Sequence, residues 1–158
     1  MLTGTTFLLG IASNGDDIAT ELCRLFMDAR QTAMPWLPQR HDFESTRAYL
    51  ADLPNQQTVV LARSGNDDIA GFAGYDQEWI HHLYIAPRYW RQGLGSQLLG
   101  HILRTQHETS LWCFTDNLAA RAFYERHGFV PVEFTNGGGN EEGCPDVLYR
   151  HPGDPRRD

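Results

Sequence analysis

The chain lacks an apolar run approaching the roughly 20 residues that a membrane-spanning helix needs. Its first residues also lack a basic stretch followed by an apolar one, so no export signal is read and the expected location is the cytoplasm, with no membrane partner. Cysteine is scarce: Cys23, Cys113 and Cys144 are odd in number, fall at no metal or redox spacing, and are read as reduced, packed thiols. Positive charge is in deficit, with 13 Lys and Arg against 20 Asp and Glu and a formal net charge of −7. That balance argues against nucleic acid as a main partner. No internal repeat, low-complexity block or second domain is visible.

What is present has the composition of an ordinary globular domain. At 158 residues, 41% hydrophobic and 21% charged, the chain is long enough for a substantial core. One domain is expected over residues 1–151, with 152–158 carrying the composition of a disordered tail. Strands are expected at 5–12, 57–63, 68–75, 78–86, 111–115, 129–134 and 146–151. A first helix is capped by Ser13 or Asn14, has Asp16 and Asp17 in its first turn, buries Ile18, Leu22, Leu25, Phe26 and Ala29, and ends before Pro35. A short helix covers 42–50 and is closed by Pro54; longer ones begin at Leu94 and after Asp116 or Asn117, the last stopping at Gly128. Ser64-Gly65-Asn66-Asp67 carries hairpin-turn chemistry. Strands bracketing helices around a mixed sheet make an α+β or α/β domain.

The most informative stretch runs from Leu83 to Leu99. The apolar strand Leu83-Tyr84-Ile85 stops at Pro87, a basic and aromatic turn follows, and Gly93-Leu94-Gly95 opens an amphipathic helix. The first turn of a helix has N–H groups without internal partners and a dipole that favours anions, so this order presents a row of donors to a phosphate. Gly93 and Gly95 let an anionic group approach the backbone, and Arg88 and Arg91 add charge beside it. No Gly-Lys-Ser/Thr follows, which excludes a nucleotide P-loop. Leu98 stands where a dinucleotide fingerprint needs its third glycine.

This stretch resembles the acyl-CoA signature of the GNAT superfamily of N-acetyltransferases, Gln/Arg-x-x-Gly-x-Gly/Ala after a Leu-x-Val strand. Trp90 stands at the Gln/Arg position, a departure, with Arg91 and Gln92 following at once. The resemblance implies a GNAT-like α+β domain with α/β-type layers, a mixed, mostly antiparallel central sheet of six to seven strands, and about four flanking helices. It implies acetyl-CoA as cosubstrate and no metal. The thioester end would lie along Leu83, Tyr84 and Ile85, and the pyrophosphate on Arg91, Gln92, Gly93, Leu94, Gly95 and Ser96. Further on, Asn117, Ala120, Tyr124, Gly128 and Phe129 match the family's second pattern, Asn-x-x-Ala-x-x-x-Tyr-x-x-x-Gly-Phe, at every anchor. Ala120 and Tyr124 are four apart and share a helix face, with Asn117 one turn away. The resemblance gives Asn117 and Ala120 to the pantetheine arm and Tyr124 to the thioester sulfur. The 140–146 segment, with Glu141 and Glu142, is similar to the closing hairpin of one subgroup.

Acetyl transfer to an amine needs a neutral amine, a donor for the developing oxyanion and a proton for the departing thiolate. Backbone N–H groups near Ile85 serve as the donors in the family, through a bulge in that strand. Tyr124 is the expected general acid, because a phenol is protonated at neutral pH. His81, His82, Glu78 and ordered water remain candidates for the base. Strand alternation puts His81 with Leu83 and Ile85 and His82 with Tyr84, which favours His81, and histidine titrates in a range suited to work near pH 7. The expected function is acetyl transfer from acetyl-CoA to a primary amine in a ternary complex. The alternative is a noncatalytic acyl-CoA-binding module on the same fold. Family members act on small amines, amino acids and proteins, and frequently dimerise, so a homodimer is among the arrangements allowed. Trp36, Phe43 and Tyr49 are candidates for the acceptor wall and equally for ordinary packing.

Overall fold

Strand Ile69–Tyr75 is buried at every position, and its sequence, Ile-Ala-Gly-Phe-Ala-Gly-Tyr, says why. A strand covered on both faces loses the polar-apolar alternation of a surface strand, and small residues let the covering layers come close. A Cβ placed on Gly71 would crowd Ile85 Cδ1 at 2.8 Å and the Tyr84 carbonyl oxygen at 3.0 Å, so the glycine suits this close approach. The computed structural model describes residues 6–13 and 17–153. Around that strand the chain runs β1 (Leu8–Ile11), α1 (Ala19–Ala33), α2 (Phe43–Gln56), β2 (Thr58–Arg63), β3 (Ile69–Tyr75), β4 (Ile80–Ile85), a 3-10 turn (Pro87–Tyr89), α3 (Leu94–Leu103), β5 (Thr109–Phe114), α4 (Leu118–Arg126), β6 (Val130–Thr135) and β7 (Asp146–His151). This is the expected α+β layering, with seven strands and four helices among the described residues.

The strands form two antiparallel sheets, ordered β1-β2-β3-β4 and β5-β7-β6. They touch at one parallel bridge, Trp79 to Ser110, where the Ser110 N–H donates to the Glu78 carbonyl at 2.9 Å. The expected central sheet is thus split between β4 and β5, which part beyond that bridge. Each face has its own core. Val60, Ala62 and Ala73 pack beneath Leu94, Leu98, Leu99 and Ile102 of α3. On the other face Val59, Leu61 and Phe72 pack against Leu22, Leu25, Leu50 and Leu53 of α1 and α2. Alternation along β2 supplies both layers from one strand.

Several expected boundaries shift. α1 begins at Ala19, with Ile18 in the cap position and no side-chain cap; Thr5 of the first strand, and the cap and first-turn candidates Asn14 and Asp16, lie outside the described residues. Glu21 occupies the first turn instead, and its Oε1 accepts the Ile69 N–H at 2.9 Å, tying the helix to the start of β3. Pro54 does not close α2 but sits in its last turn. A proline there forfeits its N–H and crowds the carbonyl four residues back. The turn survives because Asp52 accepts from Asn55 Nδ2 (2.8 Å) and Gln56 Nε2 (2.7 Å), and the Gln57 N–H reaches the Leu53 carbonyl at 3.0 Å. At the other end, Gly153 is buried at φ 91° with its N–H on His151 Nδ1 at 2.9 Å, and residues 154–158 of the expected tail lie outside the described residues.

Candidate active site

The parting of β4 and β5 positions the site. Ala86 donates its N–H to Ala70 at 2.8 Å, whereas Leu83 and Ile85 sit opposite Ala73 and Gly71. In an antiparallel pair these positions alternate, so the N–H and C=O groups of Leu83 and Ile85 face away from β3, into the gap. The Ile85 carbonyl is taken by Trp90 Nε1 at 2.7 Å, which gives the unexpected Trp90 a structural task and leaves the Ile85 N–H in the gap. Past the 3-10 turn, Arg91 (φ 62°) and Gly93 (φ 80°) turn the chain into α3 in left-handed conformations. The first N–H of α3 to bond back is that of Gln97, to the Gly93 carbonyl at 3.1 Å. Among the described residues, the N–H groups of Gln92, Gly93, Leu94, Gly95 and Ser96 meet no acceptor. With the dipole of a ten-residue helix behind them, they form an anion cradle.

The cradle's side chains divide by task. Leu94 is buried and contributes only backbone. Gly95 lies against Phe123, whose ring would be 3.2 Å from an added Cβ, so this glycine also seats α3 on α4. Ser96 Oγ pairs with His127 Nε2 at 2.9 Å. Arg88 pairs with Asp68 at 3.3 Å, and Arg91 is exposed beside the loop.

α4 faces the same gap. Asn117 caps it, its Oδ1 accepting from the Ala120 N–H at 3.3 Å, so one side of its carboxamide is committed. Ala120 and Tyr124 pack on the α3-side core. The Tyr124 ring is braced by Phe123, Phe129 and Tyr149, with centroids 5.3, 5.6 and 6.3 Å away. Its hydroxyl makes no hydrogen bond among the described residues. Burial holds this phenol well above its usual range, and the neighbouring Cys113 and Tyr84 add to the effect. It stays protonated and free to donate. Burial likewise pushes the Cys113 thiol up to about 12, which keeps it from acting as a thiolate. All three cysteines are free thiols; Cys23 and Cys113 are buried and Cys144 is partly so.

The histidines sit where β4 is irregular. Tyr75 pairs with Ile80 but Gly74 with His82, so His81 is an extra residue bulged from the strand. The bulge lies four residues before Ile85, not beside it. It also breaks the alternation expected for His81: Ile80 is buried in the α3-side core, while His82 and Tyr84 turn to the α1–α2 face. His81 borders the cavity on that second face, together with His82. Its Nε2 is 2.7 Å from Asp76 Oδ2. Asp76 is anchored in turn, Oδ1 accepting the N–H groups of Glu78 (2.9 Å) and Trp79 (2.8 Å). Burial works against the Asp76 charge, but these hydrogen bonds outweigh it and hold the carboxyl below its usual range.

His82 is a different object. It packs among Phe26, Tyr49, Phe72 and Tyr84, its Nε2 meets the Tyr49 hydroxyl at 2.8 Å, and its buried Nδ1 has no partner. Burial first, then the charges of His81 and Arg30, lower its pKa to about 4. It is neutral at working pH and too weakly basic to collect a proton from an ammonium. Because the unfolded chain protonates this group near 6.5, its contribution to stability is complete above that pH and is lost as pH falls toward 4. The span corresponds to about 3 kcal/mol. Urea midpoints measured from pH 7 to pH 4 should therefore fall less steeply for His82→Gln than for wild type; equal slopes would exclude His82 as the source.

On this face a cavity of 790 Å³ opens beneath β4 and β5. Phe26, Tyr49, Tyr84, Trp112 and Phe114 wall it, and Arg30 and Glu142 also line it. Arg30 donates to the Tyr84 hydroxyl at 3.1 Å and lies over the Phe26 ring. The loop between β6 and β7 covers the cavity, with Glu142 3.8 Å from Arg30 and Glu141 3.0 Å from His41. Gly137 shapes that loop at φ 90°, where an added Cβ would stand 2.5 Å from the Cys144 backbone.

The gap therefore joins two half-sites. The cradle residues, the Leu83 and Ile85 amides, Ala120 and Tyr124 serve one face, and His81 opens on the other. Tyr84, expected on the cofactor side, sends its side chain to the cavity. Of the three wall candidates, Tyr49 lines the cavity, Phe43 packs in the α1–α2 core and Trp36 stands edge-on to Phe114 at 6.1 Å. Asp76, Arg30 and Trp112 were not singled out from sequence; the spacing Asp76-x-Glu78, an Asx-turn pattern, is a local sign of Asp76 alone.

Comparison with known proteins bears on the family and the fold. The family model described as "Acetyltransferase (GNAT) family" matches residues 17–129. An uncharacterized N-acetyltransferase of Escherichia coli K12, YafP, is 29% identical over 68 residues, 43% of this chain and 43% of that protein, so the match spans less than half of that relative. Among solved structures, apo YjaB from Escherichia coli superposes with a TM-score of 0.76 at 16% identity, covering 94% of this chain and 99% of that one. The yncA structure from Salmonella typhimurium, solved with its cofactor acetyl-CoA, gives 0.70 at 13% identity, covering 97% of each chain.

Proposed function

The chain belongs to the GNAT acetyltransferase family, and from that premise we propose that it transfers an acetyl group from acetyl-CoA to a primary amine bound in the cavity beneath β4. The observation that carries the reading is the gap itself: free backbone donors and an unpaired tyrosine on one face, an Asp–His pair beside an aromatic-walled cavity on the other. The residues fit the cosubstrate, since a row of unsatisfied N–H groups with Arg91 beside it is what a pyrophosphate requires, and yncA was solved with acetyl-CoA.

Acetyl-CoA supplies an acetyl group activated as a thioester. His81 takes the proton that the amine must lose, with Asp76 holding the imidazole. The Leu83 and Ile85 N–H groups are placed to receive negative charge on the acetyl oxygen. Tyr124 gives its hydroxyl proton to the sulfur as the C–S bond breaks and the C–N bond forms. The nitrogen sheds its second proton to solvent as the amide forms; solvent then returns one proton to Tyr124 and takes the one held by His81, so the sum is amide, free thiol and one proton.

Free-thiol release from acetyl-CoA across a panel of primary amines tests this. The chain contains no lysine, so side-chain self-acetylation adds no background. Release that depends on one amine class is expected. Tight acetyl-CoA binding with no release for any amine would replace the enzyme with a noncatalytic acyl-CoA-binding module.

A further inference from the structure

Building on the acetyl-transfer reading, we propose that the acceptor is a small arylalkylamine without a carboxylate, held as its ammonium ion by Glu142. Glu142 is nine-tenths buried at the cavity wall, and its Oε2 has no hydrogen-bond partner although Oε1 lies 3.8 Å from Arg30. A buried carboxylate oxygen without a donor is costly, and an ammonium supplies opposite charge and three N–H donors. His82 Nδ1 is a second buried atom of the cavity wall without a partner. A neutral amine both donates and accepts, so it can meet that nitrogen after losing its proton.

The rest of the cavity selects the body of the acceptor. Its volume of 790 Å³ suits a small molecule. Phe26, Tyr49, Tyr84, Trp112 and Phe114 offer ring faces and edges to an aryl group and to the cation. The loop carrying Glu141 and Glu142 covers the outer side through its contacts with His41 and Arg30, which favours a compact ligand over a protein surface. A carboxylate on the acceptor would face Glu142. Arg30, the partly buried cation that would receive it, is already committed to the Tyr84 hydroxyl, the Phe26 ring and Glu142. Arg40 stands exposed at the rim, where solvent and salt screen it.

The test compares phenethylamine, phenylalanine and n-butylamine by thiol release, and titrates phenethylamine by calorimetry and tryptophan fluorescence in wild type and Glu142→Gln. Phenethylamine should exceed both other amines at least tenfold in kcat/KM. Glu142→Gln should lower its kcat/KM about ten- to a hundredfold through KM, with the KM for acetyl-CoA unchanged. The wild-type ranking decides the matter even if the variant does not fold. Phenylalanine equalling phenethylamine, or a Glu142→Gln variant that handles phenethylamine normally, would overturn the proposal. Thiol release with other amines while phenethylamine neither binds nor reacts overturns it too, leaving the transfer reading intact. Glu142-dependent binding without thiol release from any amine would instead sustain the site and remove the transfer reading. Neither binding nor release would remove both.

Discussion

Tyr124→Phe should lower kcat by about a hundredfold or more while leaving acetyl-CoA affinity within about twofold of wild type, the range set by loss of a positioned general acid. The substitution deletes one hydroxyl and keeps the ring that packs against Phe123, Phe129 and Tyr149. That hydroxyl carries no structural hydrogen bond, so its removal leaves no buried partner behind. Its raised pKa means that it is protonated across the working range and is held for donation. Removing a transition-state interaction lowers kcat and kcat/KM together. Steady-state kinetics beside calorimetric titration with acetyl-CoA checks both halves. Unchanged turnover would dismiss Tyr124 as the acid, whereas lost affinity would make it a binding residue.

The second large effect belongs to the His81–Asp76 pair. His81→Ala should reduce kcat/KM about a hundredfold near pH 6 and converge on wild type in alkaline solution, where the amine is already neutral. Asp76→Asn keeps the turn's shape but removes the charge facing His81 Nε2, and should produce a smaller loss, about tenfold, in the same direction with pH. A pH-rate profile of the three proteins separates the roles. Parallel profiles, depressed equally at every pH, would reduce His81 to a positioning residue and return the proton to ordered water. His82 is a poor rival for the base, since burial lowers its pKa to about 4.

What could be read from the sequence was what lies close together along it. The 83–99 and 117–129 segments each carry a strand end or loop, a cap and the first turns of a helix, so donors, glycines and Tyr124 follow from local spacing. The layered fold was legible for the same reason, because two-residue and helical periodicities alternate cleanly along the chain. The acceptor side was not. Phe26 and Arg30, Tyr49, Asp76, Trp112 and Glu142 come from five separated segments that only the topology unites. The bulge at His81 turned period-two counting on the wrong face at the residue where it mattered, because one inserted residue exchanges the two sides of a strand. Trp90 read as a defect in the signature, yet its indole satisfies the Ile85 carbonyl. Pro54 misled through a stop rule that Asp52, Asn55 and Gln56 override together.

The most direct measurement is a map of backbone amide shifts on titrating acetyl-CoA into the 15N-labelled protein. The largest changes should fall on the amides of Leu83, Ile85 and Gln92 through Ser96, with a second group around Ala120 and Tyr124. Changes confined elsewhere, such as the groove lined by Gln57, Tyr75 and Gln106, or no saturable change at all, would contradict acetyl-CoA binding in the gap between β4 and β5.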